Sequence, residues 1–245
     1  MNQCATNREQ IQALQQEILS MQGFHATAET AQIDTGLGPI QQAFPNHTFP
    51  TGAIHEFLSL GPGQAAATAG FIAGLLGALM QKGPCLWISP CPIIFPVALK
   101  TFGLTPDQVI FTTVSRTKDM LWTVEEALKC EALAAVVGEV RDLGFTPSRR
   151  LQLAVEQSRV TGFIHRPGCV QPGSTACVSR WQVRPLPGLS EDGLPGVGFP
   201  QWQVTLSKVR NGKPGAWQVG WTDTGFKVAA MSLQSREPMF TQAAG

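Results

Sequence analysis

Residues 61–68, Gly-Pro-Gly-Gln-Ala-Ala-Ala-Thr, stand in the register of the phosphate-binding motif G-x-x-x-x-G-K-[ST], with Ala66 and Ala67 where the second glycine and the lysine belong. The flanks give the register weight. Residues 53–60 form an apolar run of strand length and 69–81 read as a helix, which is the strand–loop–helix setting the motif requires. In a working loop, backbone N–H groups cradle the phosphates, the lysine reaches the β/γ oxygens and the hydroxyl ligates magnesium. Only Gly61 and Thr68 keep their types here. Taken alone, the segment also reads as a Gly/Pro turn between a strand and a helix.

Strand and helix patterns continue to alternate downstream. Strands are expected over 85–89, 109–113, 134–137 and 162–165, with helices over 96–102, 117–131 and 147–160. Such alternation means βαβ units: an α/β fold with a mostly parallel central sheet flanked by helices, and with sites at the carboxyl ends of its strands. After Pro167 the pattern changes to antiparallel strands over 176–183, 202–207 and 216–221, with a hairpin turn at Asn211-Gly212. A Gly/Pro-rich loop is expected over 185–200 and a loose tail from about 229. At the other end, Ile11, Leu14, Ile18 and Met21 make an apolar stripe on a glutamine-rich helix over 7–21, which either docks on the main domain or meets a partner. Residues 26–52 read as an irregular lead-in. The chain thus divides into an N-terminal helix and linker (1–34), a main domain (35–226) and a tail (227–245).

With 245 residues, 43% of them hydrophobic and only 14% charged, the chain can bury a substantial core. A formal net charge of +1 gives no global attraction to nucleic acid or acidic membranes, so such a contact needs a local patch. The six cysteines lack C-x-x-C spacing, which points to reduced thiols in the cytoplasm and away from a zinc site or a disulfide framework. No leader pattern is seen, and the nearest approach to a membrane span, 65–80, is short. A soluble protein without a membrane partner is the expectation.

This order of elements resembles the core of RecA-like ATPases. In that family the strand after the loop helix ends in a glutamate that activates water, and the matching strand here leads to Cys91. The aspartate that holds magnesium falls at Gly138, with Glu139 one residue late and so expected on the opposite face of its strand. Phosphoryl transfer depends on positioning and electrostatic stabilisation, so losing the lysine and both carboxylates leaves little to stabilise its transition state. The resulting expectation is a chain with no catalytic residues, no metal and no cofactor. Weak ATP binding by Gly61, Gly63, Thr68 and the helix N-terminus stays open.

A narrower resemblance spans most of 35–225. The runs Phe49-Pro-Thr-Gly-Ala-Ile-His-Glu56, Gly103-Leu104, Thr117-Lys-Asp-Met-Leu-Trp122 with Glu125-Glu-Ala-Leu128, Arg149-Arg-Leu-Gln-Leu-Ala154 and Gly162-Phe-Ile-His-Arg-Pro167 occur in the order found in the ImuA family. Trp181-Gln-Val183 and 208–217 extend it. These are bacterial RecA-like proteins of damage-induced mutagenesis, similar also to the cell-division inhibitor SulA. The resemblance implies a cytoplasmic accessory factor of the SOS response and translesion synthesis, working with an ImuB-like Y-family polymerase homologue and a specialised replicative-type polymerase. It admits RecA and DNA as further contacts. A SulA-like inhibitor of cell division and a weak ATP-binding DNA-repair ATPase stay open as alternatives.

Several polar residues are candidates for contacts with nucleic acid or partners. Arg166 ends a strand where RecA-like folds place a nucleotide- or DNA-sensing group, although pairing with a local carboxylate would serve equally. Arg149 and Arg150 open a helix, against its macrodipole, and so call for an acidic or phosphate partner. Lys208, Arg210 and Lys213, with Trp202 and Trp217 nearby, combine charge with aromatic surface and would suit single-stranded nucleic acid. His55-Glu56 begins an H-E-x-x-H zinc motif whose second histidine is missing. Adjacent Glu125 and Glu126 point about 100° apart on a helix and cannot share one substrate.

Overall fold

The computed structural model describes residues 33–92, 94–189 and 198–230, together with Leu14, which is helical and exposed. The rest of the expected N-terminal helix and the residues after 230 lie outside the described residues. Strand β1, Ile54–Ser59, is buried along its whole length and stands near the middle of the sheet. Its alternation feeds two cores at once: Phe57 packs with Phe71 and Trp181 on one face, while Ile54 joins Val124, Leu128 and Val155 on the other.

Helix α1, Pro62–Leu79, covers the first face. Proline in its first turn and the run Ala65-Ala66-Ala67 favour helix from the outset. By length and composition it could cross a membrane, yet half of it is buried within the protein, with Phe71, Ile72, Leu75 and Leu76 fully enclosed. Gly74 lets it approach the sheet closely, because a Cβ there would lie 2.7 Å from the Trp221 ring. Helices α2, Thr117–Leu128, and α3, Phe145–Ser158, pack together on the other face.

The remaining strands are β2 (Cys85–Ser89), β3 (Val109–Thr113), β4 (Ala135–Glu139), β5 (Thr161–Pro167), β6 (Ser179–Leu189), β7 (Phe199–Val209), β8 (Gly215–Thr222) and β9 (Gly225–Ala230). They form one sheet in the order β3-β2-β4-β5-β1-β6-β7-β8-β9. Every pairing from β3 to β6 is parallel, and every pairing from β6 to β9 is antiparallel. The expected mostly parallel, helix-flanked sheet with an antiparallel extension is therefore present.

Three details differ from the sequence reading. Strand β6 pairs in parallel with β1 before it turns antiparallel to β7, so it belongs to both halves of the sheet. Both ends of the expected loop over 185–200 are strand: β6 continues to Leu189 and β7 starts at Phe199, with a register irregularity between Leu186 and Leu189 that accommodates the prolines. Residues 190–197 lie outside the described residues. The expected tail starts too early, because β9 carries the sheet to Ala230. Its alternating Phe226 and Val228 pack on the α1 core, with the Phe226 ring 5.1 Å from Phe71 and 4.9 Å from Trp221.

Phe71 sits where the rings of Phe57, Trp181, Trp202 and Phe226 meet. Truncating it leaves a cavity that rigid strands cannot close. Phe71→Ala is expected to lower the unfolding free energy by about 3–5 kcal/mol in urea titrations. Half-exposed Leu153→Ala should change it by less than about 1 kcal/mol.

Candidate functional site at the carboxyl edge of the sheet

Only Leu60 and Gly61 separate β1 from α1, so residues 62–68 form the opening turns of the helix and not a loop. The Ala65 N–H donates to the Gly61 carbonyl at 2.9 Å, and the Leu60 N–H donates to the Gln64 side chain at 3.0 Å. Gly61 is the extended residue before the helix, and Gly63 lies exposed in its first turn. Thr68 is fully buried, its hydroxyl enclosed without a partner among the described residues, and so it faces the core. What survives of the motif is the N-terminus of a helix.

The two acidic positions are equally altered. Cys91 is exposed just beyond β2, where its carbonyl accepts the Ser89 hydroxyl at 2.9 Å. Gly138 faces α2, and a Cβ there would lie 2.6 Å from Val124, so the place of the missing carboxylate is closed sterically as well as chemically. Glu139 lies on the opposite face from Gly138, as expected, but the faces are the reverse of what a RecA-like site requires. It is Gly138 that turns away, and Glu139 shares the α1 face with Trp87, whose indole N–H donates to it at 3.3 Å. Burial raises the Glu139 pKa. Its strand partner His165 contacts the Ser59 hydroxyl through Nε2 at 2.7 Å. Burial lowers the pKa of that imidazole to about 4. A neutral imidazole against a hydroxyl has the arrangement of a base and nucleophile, but both groups are buried, and the contact ties β1 to β5.

On the opposite face lies a feature that sequence reasoning missed. Glu56, set aside as half of a zinc motif, is fully buried and accepts from Arg166 on one oxygen. Its other oxygen accepts from Arg180 Nε at 2.7 Å and from Thr175 at 2.9 Å. The available signal was a carboxylate inside a strand expected to be buried, where it cannot stay charged without partners. Arg166 is consequently not a free sensor. It is almost wholly buried and also donates to the Arg141 carbonyl at 3.1 Å.

Other expected residues are dispersed. Arg149 and Arg150 lie one turn inside α3, where Arg149 approaches Glu156 at 3.9 Å and Arg150 pairs with Glu125. Trp202 is a core residue against Phe71 and Phe102, and Trp217 packs on the same cluster. Lys208 donates to the Thr175 carbonyl at 2.7 Å and Arg210 to that of Ala176 at 2.8 Å, on the opposite side of the sheet. Charge and aromatic surface therefore do not combine into the stacking site expected from sequence. Lys213 is exposed in the hairpin turn.

No protein-family model matches the chain. Two curated relatives, each named Protein ImuA, come from Caulobacter vibrioides strains NA1000 / CB15N and ATCC 19089 / CIP 103742 / CB 15. Each is 30% identical over 202 residues, covering 77% of this chain and 82% of the relative. Among solved structures, the RadB recombinase superposes with a TM-score of 0.53 at 16% identity, covering 82% of this chain and 98% of that chain. The fold is thus RecA-like.

Two outcomes follow from these buried groups. Glu56→Gln leaves two arginines in the interior without a counter-charge and is expected to cost about 3–5 kcal/mol by denaturant titration. His55 and His165 both have pKa values lowered to about 4 by burial, against an ordinary 6.5. Between those values the unfolded chain binds more protons, so stability rises with pH. Each histidine's contribution, on the order of 3 kcal/mol, is complete above about pH 6.5 and is lost as pH falls toward 4. Buried Glu139, with its raised pKa, acts in the opposite sense. In His165→Gln, stability measured against pH should have a visibly shallower slope across this window.

Proposed function

The chain belongs to the ImuA family, and on that premise we propose that it is a non-catalytic RecA-like accessory protein of damage-induced translesion DNA synthesis. It acts in the cytoplasm as a scaffold that binds an ImuB-like polymerase homologue, with RecA and a specialised replicative-type polymerase as further members of the assembly. The observation that carries this reading is the helical course of residues 62–68, with alanines at the glycine and lysine positions and Thr68 turned inward. A fold family built around a phosphate cradle here has its central helix starting where the cradle would be.

Elsewhere the surface has the composition of an interface. Among the described residues, strand β3 closes one end of the sheet and pairs only with β2, and none of them covers its outer backbone edge with a further strand. Ile110 and Phe111 on that strand, Phe95 and Val97 before it, and Trp122 on α2 are all exposed. Large apolar and aromatic side chains of this kind anchor protein partners.

The test combines binding with phenotype. Purified protein should capture the ImuB-like partner, and deleting its gene should abolish damage-induced mutation. The double variant Phe111→Asp, Trp122→Ala should bind the partner at least tenfold more weakly while keeping its thermal midpoint near that of the parent. Absence of partner binding together with unchanged mutagenesis would refute the scaffold reading. Filamentous growth on overexpression would favour a SulA-like inhibitor, and single-turnover ATP hydrolysis that depends on residues 61–68 would favour an ATPase.

A further inference from the structure

Strands β6 to β9 have two unlike faces. One carries Trp181, Val183, Trp202, Val204, Leu206, Val219 and Trp221, all buried in the core under α1. The other has Arg180, Gln182 and Arg184 on β6 beside Lys208, Thr205 and Gln203 on β7, as the pairing register requires. It continues through Gln218 on β8 to Lys227 and Ala229 on β9. Helices α2 and α3 cover the parallel half of this side, and their apolar cluster draws no residue from β7, β8 or β9. Arg184, Gln218 and Lys227 are exposed, while Gln182, Gln203, Thr205 and Lys208 are half-buried.

Charge on this face is one-sided. Its described residues include four cations, Arg180, Arg184, Lys208 and Lys227, and no aspartate or glutamate. The single carboxylate beneath it among the described residues, Glu56, is shared by Arg166 and Arg180 and so leaves a positive excess. Arg210 and Arg149 add to it at the rim, where Glu156 offsets only part of their charge. The chain as a whole has a net charge of only +1, so this concentration is local. Lys208 feels it directly: burial first, then Arg180 and Arg210, lower its pKa.

We propose that the open face of β6 to β9 binds the phosphate backbone of nucleic acid, with Arg184, Lys208 and Lys227 as phosphate contacts and the glutamine amides as additional donors. Strands β6 and β7 are eleven residues each, so the face is about 35 Å long at ~3.3 Å per residue, enough for several consecutive phosphates. The occupant is a polyanion because the complementarity is electrostatic. The one aromatic residue on this face among its described residues is Phe199, at the opposite end of β7 from Lys208, so the contact is mainly to backbone and discriminates little between sequences. The proposal goes beyond the scaffold role and uses neither the β3 edge nor the α1 N-terminus.

Fluorescence anisotropy with labelled single- and double-stranded oligonucleotides, titrated with the full chain at several salt concentrations, tests it. Binding should weaken with salt, and the double variant Arg184→Ser, Lys227→Ser should lower the slope of log K against log salt by about 2. Its affinity at moderate salt should fall at least tenfold. The control Lys100→Ser, Lys118→Ser, at exposed positions outside this face, should leave both quantities unchanged. No binding at low salt would overturn the proposal, as would a double variant that binds like the parent. Competition by polyglutamate as strong as by unlabelled oligonucleotide would also overturn it, in favour of an acidic protein partner.

Discussion

A carboxylate with no access to water must be neutralised where it lies, and Glu56 imposes that condition on the centre of the sheet. It sits on β1, and its counter-charges come from the two strands that flank it, Arg166 on β5 and Arg180 on β6. A one-residue slip of either neighbour would turn its arginine to the α1 face, against phenylalanine and tryptophan, and leave the acid unpaired. Apolar packing of this sheet would tolerate several registers, since its strands are apolar on both faces. The ion network selects one of them. Its energetic value lies more in that discrimination than in net stabilisation, because removing three charged groups from water offsets much of what their attraction contributes.

On the α1 side of the sheet, the positions that correspond to the phosphate loop and its acidic partners are filled by packing within the fold. In a nucleotide-binding member, the loop after β1 has to remain irregular to wrap a phosphate. Here that segment is helical from Pro62 and has the local features of a helix: proline in the first turn, three consecutive alanines, and Thr68 enclosed with the core. Val124 then fills the space beside Gly138, and the indole of Trp87 takes the one carboxylate left at the end of β4. These features are mutually consistent: each of the positions is packed or paired within the fold itself.

Much of the fold was legible from periodicity. The strands and the two later helices between 53 and 167 stand within a few residues of their expected places, because β1 to β5 are short, largely apolar runs; the first helix is the exception, starting at Pro62 where 69 was expected, and 96–102 is a 3-10 helix. The antiparallel half was less legible at its ends. Prolines at 185, 187 and 200 argued for a loop, whereas a register irregularity lets the strands absorb them, and β9 was missed because only Phe226 and Val228 mark it. The site was least legible. Which face a residue occupies depends on register: Glu139 is opposite Gly138 as expected, but it is Gly138 that faces away from α1, and Trp202 and Lys208 were grouped though the sheet separates them. Glu56 was invisible for a related reason, since its partners lie 110 and 124 residues further along the chain.

Those separations bear on how the protein comes into being at the ribosome. Synthesis runs from the N-terminus, and domains generally fold as units once their sequence has emerged. When β1 emerges, neither arginine exists yet, and the strand that must occupy the centre of the sheet carries a charge that only water can then satisfy. Premature burial of β1 is therefore penalised until residue 180 has been added. By then all of the helices between β1 and β5 have been made, and closing so long a loop is slow relative to local structure. Glu56 thus disfavours burial of the central strand until the strands on both sides of it are available.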